Sequence, residues 1–352
     1  MHSFALICAF LFAFSGGLGL QDTLLHLTTS DSLGHRDSLA FVAPQDSVIL
    51  LFGGDCLLTD HYLASVGDDV SWAFRDFDIL RRADVAVVNL ECPVTTRGTR
   101  MPKPFNFRMQ PRHLSALRFA GIDIVNMANN HIFDYDRVGL FDTISYLDSV
   151  GIKHVGAGRV AAEAHRPVII ETKEGRVAFL GYYGGGEAPA AGRRTPGVAR
   201  RELSLIQRDV EHARIVEHAD YIVVNLHWGN EKAAIPDQWQ QELAHGIIDA
   251  GANAVIGHHP HVLQGVEEYG DGVIAYSLGN FIFGGNSRSS YDTALFEIVL
   301  NEKGAHHRIV PVQVTNWQAR ELTGATADSL IEYVQSLSTV FADSIFHKPE
   351  TK

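Results

Sequence analysis

The sequence predicts one α/β domain, on three observations: near-continuous apolar strands, a recurring helix–glycine–strand unit, and polar clusters at the strand ends. The runs "SVILLFGG", "DVAVVNLE" and "DYIVVNLHWG" are apolar at almost every position, as expected where both faces of a sheet are covered. The unit recurs three times: "PRHLSALRFAG" leads into "IDIVNMA", "DRVGLFDTISYLDSVG" into "IKHVGAG", and "PDQWQQELAHGIIDAG" into "ANAVIG". In the third helix Pro236 suits the first turn, where a missing N–H costs nothing. Trp239, Leu243 and Ile247 repeat every four residues on one face, and Gly251 can close the helix in the left-handed conformation. The later runs "GVIAYSLGNFIF", "ALFEIVL" and "HRIVPVQVTNW" lack intervening helices, which points to a mixed or second sheet.

The domain is expected over residues 47–316. Before it, "MHSFALICAFLFAFSGGLGLQD" is an apolar run ending in small residues. Residues 1–20 read as a secretory signal peptide, with a retained membrane anchor through residues 4–20 as the alternative. Either reading puts the body of the protein outside the cytoplasm, secreted or periplasmic. Residues 21–46, rich in Ser, Thr and Asp without periodicity, read as a linker. Residues 317–352 carry "SLIEYVQSLSTVFADSIF", a terminal helical segment.

With 352 residues, 46% of them hydrophobic, the chain can bury a large core. A formal net charge of −12 disfavours nucleic acid as a partner, because such binding needs a cationic surface to displace counterions. A local basic patch can still hold a small anion. Of the 3 cysteines, Cys8 falls in the N-terminal run. Cys56 and Cys92 form no disulfide framework and read as two small buried thiols, with pairing in an oxidising compartment as the alternative.

The chemistry gathers where α/β sheets bind ligands, at the carboxyl ends of strands. Five ends carry polar clusters: "GGDC" with Asp55, "NLEC" with Asn89 and Glu91, "ANNH" with Asn129, Asn130 and His131, "NLHWGNE" with His227 and Glu231, and "GHHPH" with His258, His259 and His261. Singly, each has an ordinary explanation as a turn, cap or satisfied histidine. Together they offer mixed oxygen and nitrogen donors, a set suited to Mn, Fe or Zn. Several clusters on one edge have room for two such ions, the arrangement used for in-line attack on phosphorus. Asp134 either orients His131 or caps the following helix. In "RMPKPFNFR", Lys103 and Arg108 either hold an anionic substrate or lie on a solvated loop. Asn280 in "SLGNF" is a candidate support for the histidines. Proline disfavours a helical residue before it, so His259 is expected to be extended. Residues two apart in an extended chain share a face. His259 and His261 are thus expected as ligands, with His258 pointing away as a supporting or substrate contact.

The motifs "LLFGGDCLLTD", "VAVVNLECPVT", "IVNMANNHIFDYD", "VVNLHWGNE", "AVIGHHPHVLQGVE" and "AYSLGNFIFG" stand in the order found in CapA-type capsule-synthesis and poly-γ-glutamate synthesis proteins. Over about residues 47–284 the chain is similar to that family, which resembles the calcineurin-like metallophosphoesterases. The resemblance implies an αββα two-sheet sandwich with two divalent transition-metal ions at the strand ends. It implies Asp55, Glu91, Asn130, His227, His259 and His261 as metal ligands, Glu91 bridging, and His131 as proton donor with Asp134 behind it. Asn89, Lys103, Arg108, Glu231, His258 and Asn280 would support the ligands or touch substrate. The superfamily's opening Asp-x-His is here Asp55-Cys56-Leu57, and its bridging Asp is Glu91. The implied function is hydrolysis of a phosphoester or related anionic substrate, small molecule or polymer. The alternative is a non-hydrolytic metal-binding component of a capsule or polyglutamate assembly, with membrane-associated synthesis components as partners.

Overall fold

The computed structural model describes residues 46–346, so the signal, anchor and linker readings of residues 1–45 lie outside the described residues. Strand and helix first alternate: β1 (Val48–Leu57), α1 (Asp60–Val66), α2 (Ile79–Arg82), β2 (Val85–Leu90), α3 (Leu114–Ala120), β3 (Ile124–Asn126), α4 (Asp136–Val150) and β4 (Lys153–Val155). Next come β5 (Ala157–Gly158), α5 (Ala161–Ala164), β6 (Val168–Thr172), β7 (Gly175–Tyr183), β8 (Gly197–Val198), α6 (Leu203–Ile215), β9 (Tyr221–His227), α7 (Gln238–Asp249) and β10 (Ala254–His258). The chain then runs through β11 (Val266–Tyr269), β12 (Gly272–Ala275), β13 (Asn280–Phe283), β14 (Tyr291–Asn301), β15 (Gly304–Thr315), β16 (Gln318–Glu321) and α8 (Gly324–Ser338).

These strands make two large sheets. One has the order β16-β15-β14-β1-β2-β3-β4, with β13 also paired to β1; the other has the order β11-β12-β10-β9-β7-β6. The centres of both are parallel, β1-β2-β3-β4 in the first and β12-β10-β9-β7 in the second. Antiparallel strands finish the edge of the first sheet opposite β4 and both edges of the second.

Alternation along each strand builds the layers. Leu50 and Phe52 of β1, Val85 and Val87 of β2 and Ile124 of β3 share one buried cluster with Val177, Phe179, Val223, Ala254 and Ile256 of the second sheet. That cluster is the space between the sheets, and Phe52 and Phe179 meet across it at 6.4 Å. The intervening residues Leu51, Ala86, Val88 and Val125 pack outward with α1 to α4. On the far side Ile222, Val224 and Val255 pack against α6 and α7. The expected αββα sandwich is therefore present, and each fully buried Leu, Val or Phe contributes about 1.5–3 kcal/mol of transfer free energy.

Two expectations shift in detail. Residues 318–321, expected in a helical tail beyond the domain, form β16 and extend the first sheet. Leu330, Val334 and Leu337 of α8 then close the core between the sheets, so this tail belongs to the domain body. In α7, Pro236 precedes the helix. Asp237 caps it, with Gln240 answering from N3 in a capping box. The helix buries Gln240, Ala244, Ile247 and Ile248, while Trp239 stays 39% exposed.

Candidate metal centre

Strand parity delivers the site. On the face turned to the other sheet, β2 ends in Asn89, β3 in Asn126, β9 in His227 and β10 in His258, each continuing the inward alternation of its strand. Asp55 is in register with Asn89 on one side and Asn280 on the other. Its backbone N–H donates to Gly279 O at 2.9 Å. A Cβ on Gly54 would stand 2.0 Å from that same oxygen, so the glycine before Asp55 is what allows β1 and β13 to close.

Asn89 is the hub of the oxygen-rich half. Its Nδ2 donates to Asp55 Oδ1 at 2.8 Å and to Glu91 Oε2 at 3.3 Å, and stands 3.3 Å from His227 Nδ1. Its Oδ1 accepts from Asn126 at 3.0 Å and from Asn129 at 3.3 Å. Asn126 was not among the residues expected in the site. Its signal is the recurrence of Val-Asn at three strand ends, Val88-Asn89, Val125-Asn126 and Val224-Asn225.

Opposite lies the imidazole half. His227 Nε2 is 2.9 Å from Asn130 Oδ1 and 3.8 Å from Glu91 Oε1. His261 Nδ1 stands 2.9 Å from both Asp55 Oδ2 and Asn280 Oδ1, which leaves Nε2 directed at Glu91 Oε1 at 3.6 Å. Three groups of donor atoms converge within 4.8 Å: Asp55, Glu91 and His261; Glu91, His227 and His259; Glu231, His259 and His261. Glu231, expected as a supporting residue, thus reaches the donors directly.

The histidine turn differs from its expected shape. His259 is not extended: its φ is 100°, and His261 has φ 57°. Such left-handed backbone is uncommon for residues bearing a Cβ. Proline favours extended backbone before it, so His259 holds its φ of 100° against that preference. His258 does not point away. It lies inside β10, fully buried, with Nδ1 3.9 Å from Asp55 Oδ1. The alternation Ala254, Ile256, His258 already turned it inward.

His131 stands at the margin with its Nδ1 2.7 Å from Asp134 Oδ2. Asp134 also accepts from Phe107 N and lies 2.5 Å from Lys103 Nζ. It therefore serves His131, and the first turn of α4 is served by Asp136, whose Oδ1 accepts from Val138 N. Lys103 Nζ donates to Asn130 O at 2.7 Å. Arg108 is not brought into the donor cluster; it is exposed with its guanidinium over the Tyr135 ring. Cys56 and Cys92 are buried free thiols.

The electrostatics are those of donors in want of a cation. Burial pushes Asp55 up, but the His261 hydrogen bond and charge outweigh it and bring the carboxyl down to about 2. Burial, with Asp55 beside it, holds Glu91 well above the carboxylate range. Burial and the neighbouring imidazoles hold His227 well below its ordinary value, and burial brings His258 down to about 4. Glu91 Oε1, both nitrogens of His258 and His259 Nδ1 are buried without a hydrogen-bond partner. Buried polar atoms are normally satisfied, and a divalent cation held by Glu91, His227 and His259, one of the convergent donor groups, would take up the unpartnered Glu91 oxygen. Carboxylate, amide and imidazole donors without thiolate fit such an ion.

Fold and site together define a class: a two-sheet α/β sandwich whose parallel strand ends are furnished for divalent metal. The family described as bacterial capsule synthesis protein PGA_cap matches residues 49–285, and the chain belongs to it. It is 32% identical over 282 residues to capsule biosynthesis protein CapA of Bacillus anthracis, covering 77% of this chain and 69% of that one. It is also 32% identical over 241 residues to PGA biosynthesis protein CapA of Bacillus subtilis, covering 67% of this chain and 63% of that one. The chain thus spans about two thirds of the length of these relatives. The solved structure of NAD nucleotidase from Haemophilus influenzae overlays 85% of this chain and 57% of its own at TM-score 0.48 and 10% identity, too distant a likeness to bear on function.

Proposed function

We propose that this chain is a metal-dependent hydrolase of a phosphoester or related anionic substrate, working outside the cytoplasm in capsule or poly-γ-glutamate metabolism. The observation that carries the reading is Glu91 Oε1, buried, unpartnered and shared by two donor groups, Asp55–His261 and His227–His259. Two divalent ions, Mn, Fe or Zn, fit that sharing, with Asn130 beside His227 and Glu231 beside His259 and His261. When bound, such ions supply Lewis-acid charge and make water acidic enough to act as a nucleophile near neutral pH.

The chain's own residues do the rest. Asn89 ties Asp55 and Glu91 into one rigid unit, and Asn280 fixes the His261 ring by accepting from Nδ1. Asp134 holds His131 Nδ1, leaving Nε2 to give a proton to the departing oxygen. Phe107 packs against the His131 ring with centroids 4.6 Å apart, tilted by 50°. Lys103, tied to Asn130 O and Asp134, adds positive charge where an anion would enter.

A second reading has one specific support, the names of the relatives, which are synthesis proteins. In it the centre binds an anionic polymer without cleaving it, as part of a membrane-associated assembly. Metal analysis of protein purified without chelator, followed by turnover assays on aryl phosphate monoesters, diesters and γ-glutamyl polymer, separates the two. Bound transition metal with turnover of one of these substrates supports the hydrolase. Full occupancy with no turnover on any of them removes it and leaves the binding reading.

A further inference from the structure

Beside the imidazole half of the centre lies a cation without a counter-ion. Arg201 follows β8, and its backbone N–H donates to Tyr183 O at the end of β7. The guanidinium donates through Nη1 to His227 O at 3.2 Å. One face lies 4.5 Å from the centre of the Trp239 ring. Gly184 lies close beside it: a Cβ there would stand 3.1 Å from Nε and 3.2 Å from Cζ. The segment "GGGE" after β7 therefore passes close to the guanidinium, and a side chain at 184 would crowd it.

Arg201 is held between the Trp239 ring, the close backbone at Gly184 and His227 O, yet no carboxylate pairs with it among the described ion pairs. Of the other half-buried arginines, Arg308 pairs with Glu297 and Arg176 with Glu171, while Arg214 spends its guanidinium on four carbonyl oxygens; Arg201 has one such oxygen. Holding a cation in a desolvated place without a counter-charge costs stability, and burial does pull Arg201 below its ordinary value. Lys103, the other cation of the rim, is already spent on Asp134. The remaining guanidinium donors form a fork suited to two oxygens of a carboxylate or phosphate. They sit next to His227, whose ring Tyr183 meets edge-on at 5.6 Å.

We propose that Arg201 is a substrate-binding residue that grips an anionic group of the substrate other than the one that reacts, with Trp239 and Gly184 presetting its fork. The inference deepens the hydrolase reading and rests on its site. The shared chemistry is an oxyanion with two free oxygens, supplied either by a phosphate or by the free carboxylates of a γ-linked glutamate chain.

The test is calorimetric titration of intact, metal-loaded protein with inorganic phosphate and, separately, with a γ-linked glutamate oligomer. Wild type should bind at least one probe, and which one identifies the source of the oxyanion. Arg201→Ala should weaken that binding by about tenfold or more, as loss of a charged hydrogen bond does. Metal content and melting temperature should stay those of wild type. Arg200→Ala, which removes an exposed neighbour paired with Glu202, should bind as wild type. Should the alanine variant fail to fold, Arg201→Gln keeps the stem, removes the charge and is expected to show the same loss. Wild type binding neither probe, or either Arg201 variant binding as wild type, would overturn the proposal. Arg201-dependent binding in a metal-loaded protein that turns over no substrate would instead sink the hydrolase reading and leave this subsite standing.

Discussion

Among the clusters that set histidine against carboxylate in the described residues, two are finished differently. Around Asp209, between α6 and the second sheet, His165 Nδ1 lies at 2.6 Å, Tyr182 donates at 3.0 Å, and Arg208 donates at 3.1 and 2.9 Å. Both carboxylate oxygens are occupied and the group is closed. Around Glu91, one carboxylate oxygen and three imidazole nitrogens of His258 and His259 are buried with nothing to bond. The residue types are alike, so histidine next to acid does not by itself mark a site. What marks it is several unmet donors converging from both sheets, an arrangement that costs folding energy until something charged arrives.

The sharpest way to break the contrast is to remove the shared carboxylate. Glu91→Gln should abolish detectable turnover together with metal-dependent stabilisation. Wild type held at a hundredfold excess of metal over Kd should gain about 2.7 kcal/mol, and the variant should gain nothing in parallel calorimetric melts. Metal-free, the variant should melt no lower than wild type, because burial already favours the neutral Glu91 carboxyl and a neutral amide of the same size replaces it. Next in size, His131→Ala should keep its metal by elemental analysis while turnover drops by about 10²–10⁴-fold. A loss of metal in that variant would move His131 among the ligands.

The closed cluster should answer in the opposite currency. Asp209→Ala should cost about 1–3 kcal/mol by leaving His165 and Tyr182 unmatched in a buried place, the exposed Arg208 adding little, with metal content unchanged. Its pH dependence follows from the direction of its shift. Burial raises the Asp209 carboxyl, but the hydrogen bonds from His165 and Arg208 prevail and lower it. That stabilisation is therefore complete above the unfolded value of about 3.9 and fades as pH falls through the lower folded value. Denaturant melts of Asp209→Asn should accordingly show a flatter acid limb than wild type below about pH 4. The smallest effect concerns the thiols. Burial raises Cys92 well above its ordinary value and Cys56 to about 12, so neither should react with iodoacetamide in the folded protein, and both should react after unfolding.

Much of this was legible in sequence because strand periodicity and strand-end chemistry are local. "SVILLFGGD" and "DVAVVNLE" already say which residues face which layer and which come last. The same periodicity contains the position of His258, because Ala254 and Ile256 alternate inward ahead of it, whereas the proline rule speaks only to His259. Asn126 was legible only by comparing three strands, since a lone Asn at a strand end is ordinary. Arg201 was not legible. It sits in a loop without periodicity, and its meaning depends on Trp239, Gly184 and His227, which come from three separate segments. The extension of the first sheet by β16 was hidden for a similar reason. Four residues alternating little in polarity become a strand only because β15 offers a free edge.

The seam between β1 and β13 has a consequence for how the protein comes into being. Asp55 belongs to the first strand of the domain, and its partner Asn280 emerges only after both helical layers and most of the second sheet. Contacts so distant in the chain form late, after the entropy of closing the long loop has been met. Nascent chain that ends before β13 holds Asp55, Glu91 and the histidines, but lacks Gly279, whose carbonyl anchors Asp55, and Asn280, which holds the His261 ring. A chain that crosses a membrane unfolded, as the export reading has it, would therefore choose its metal at the destination, from whatever ions that compartment offers when the last strands arrive.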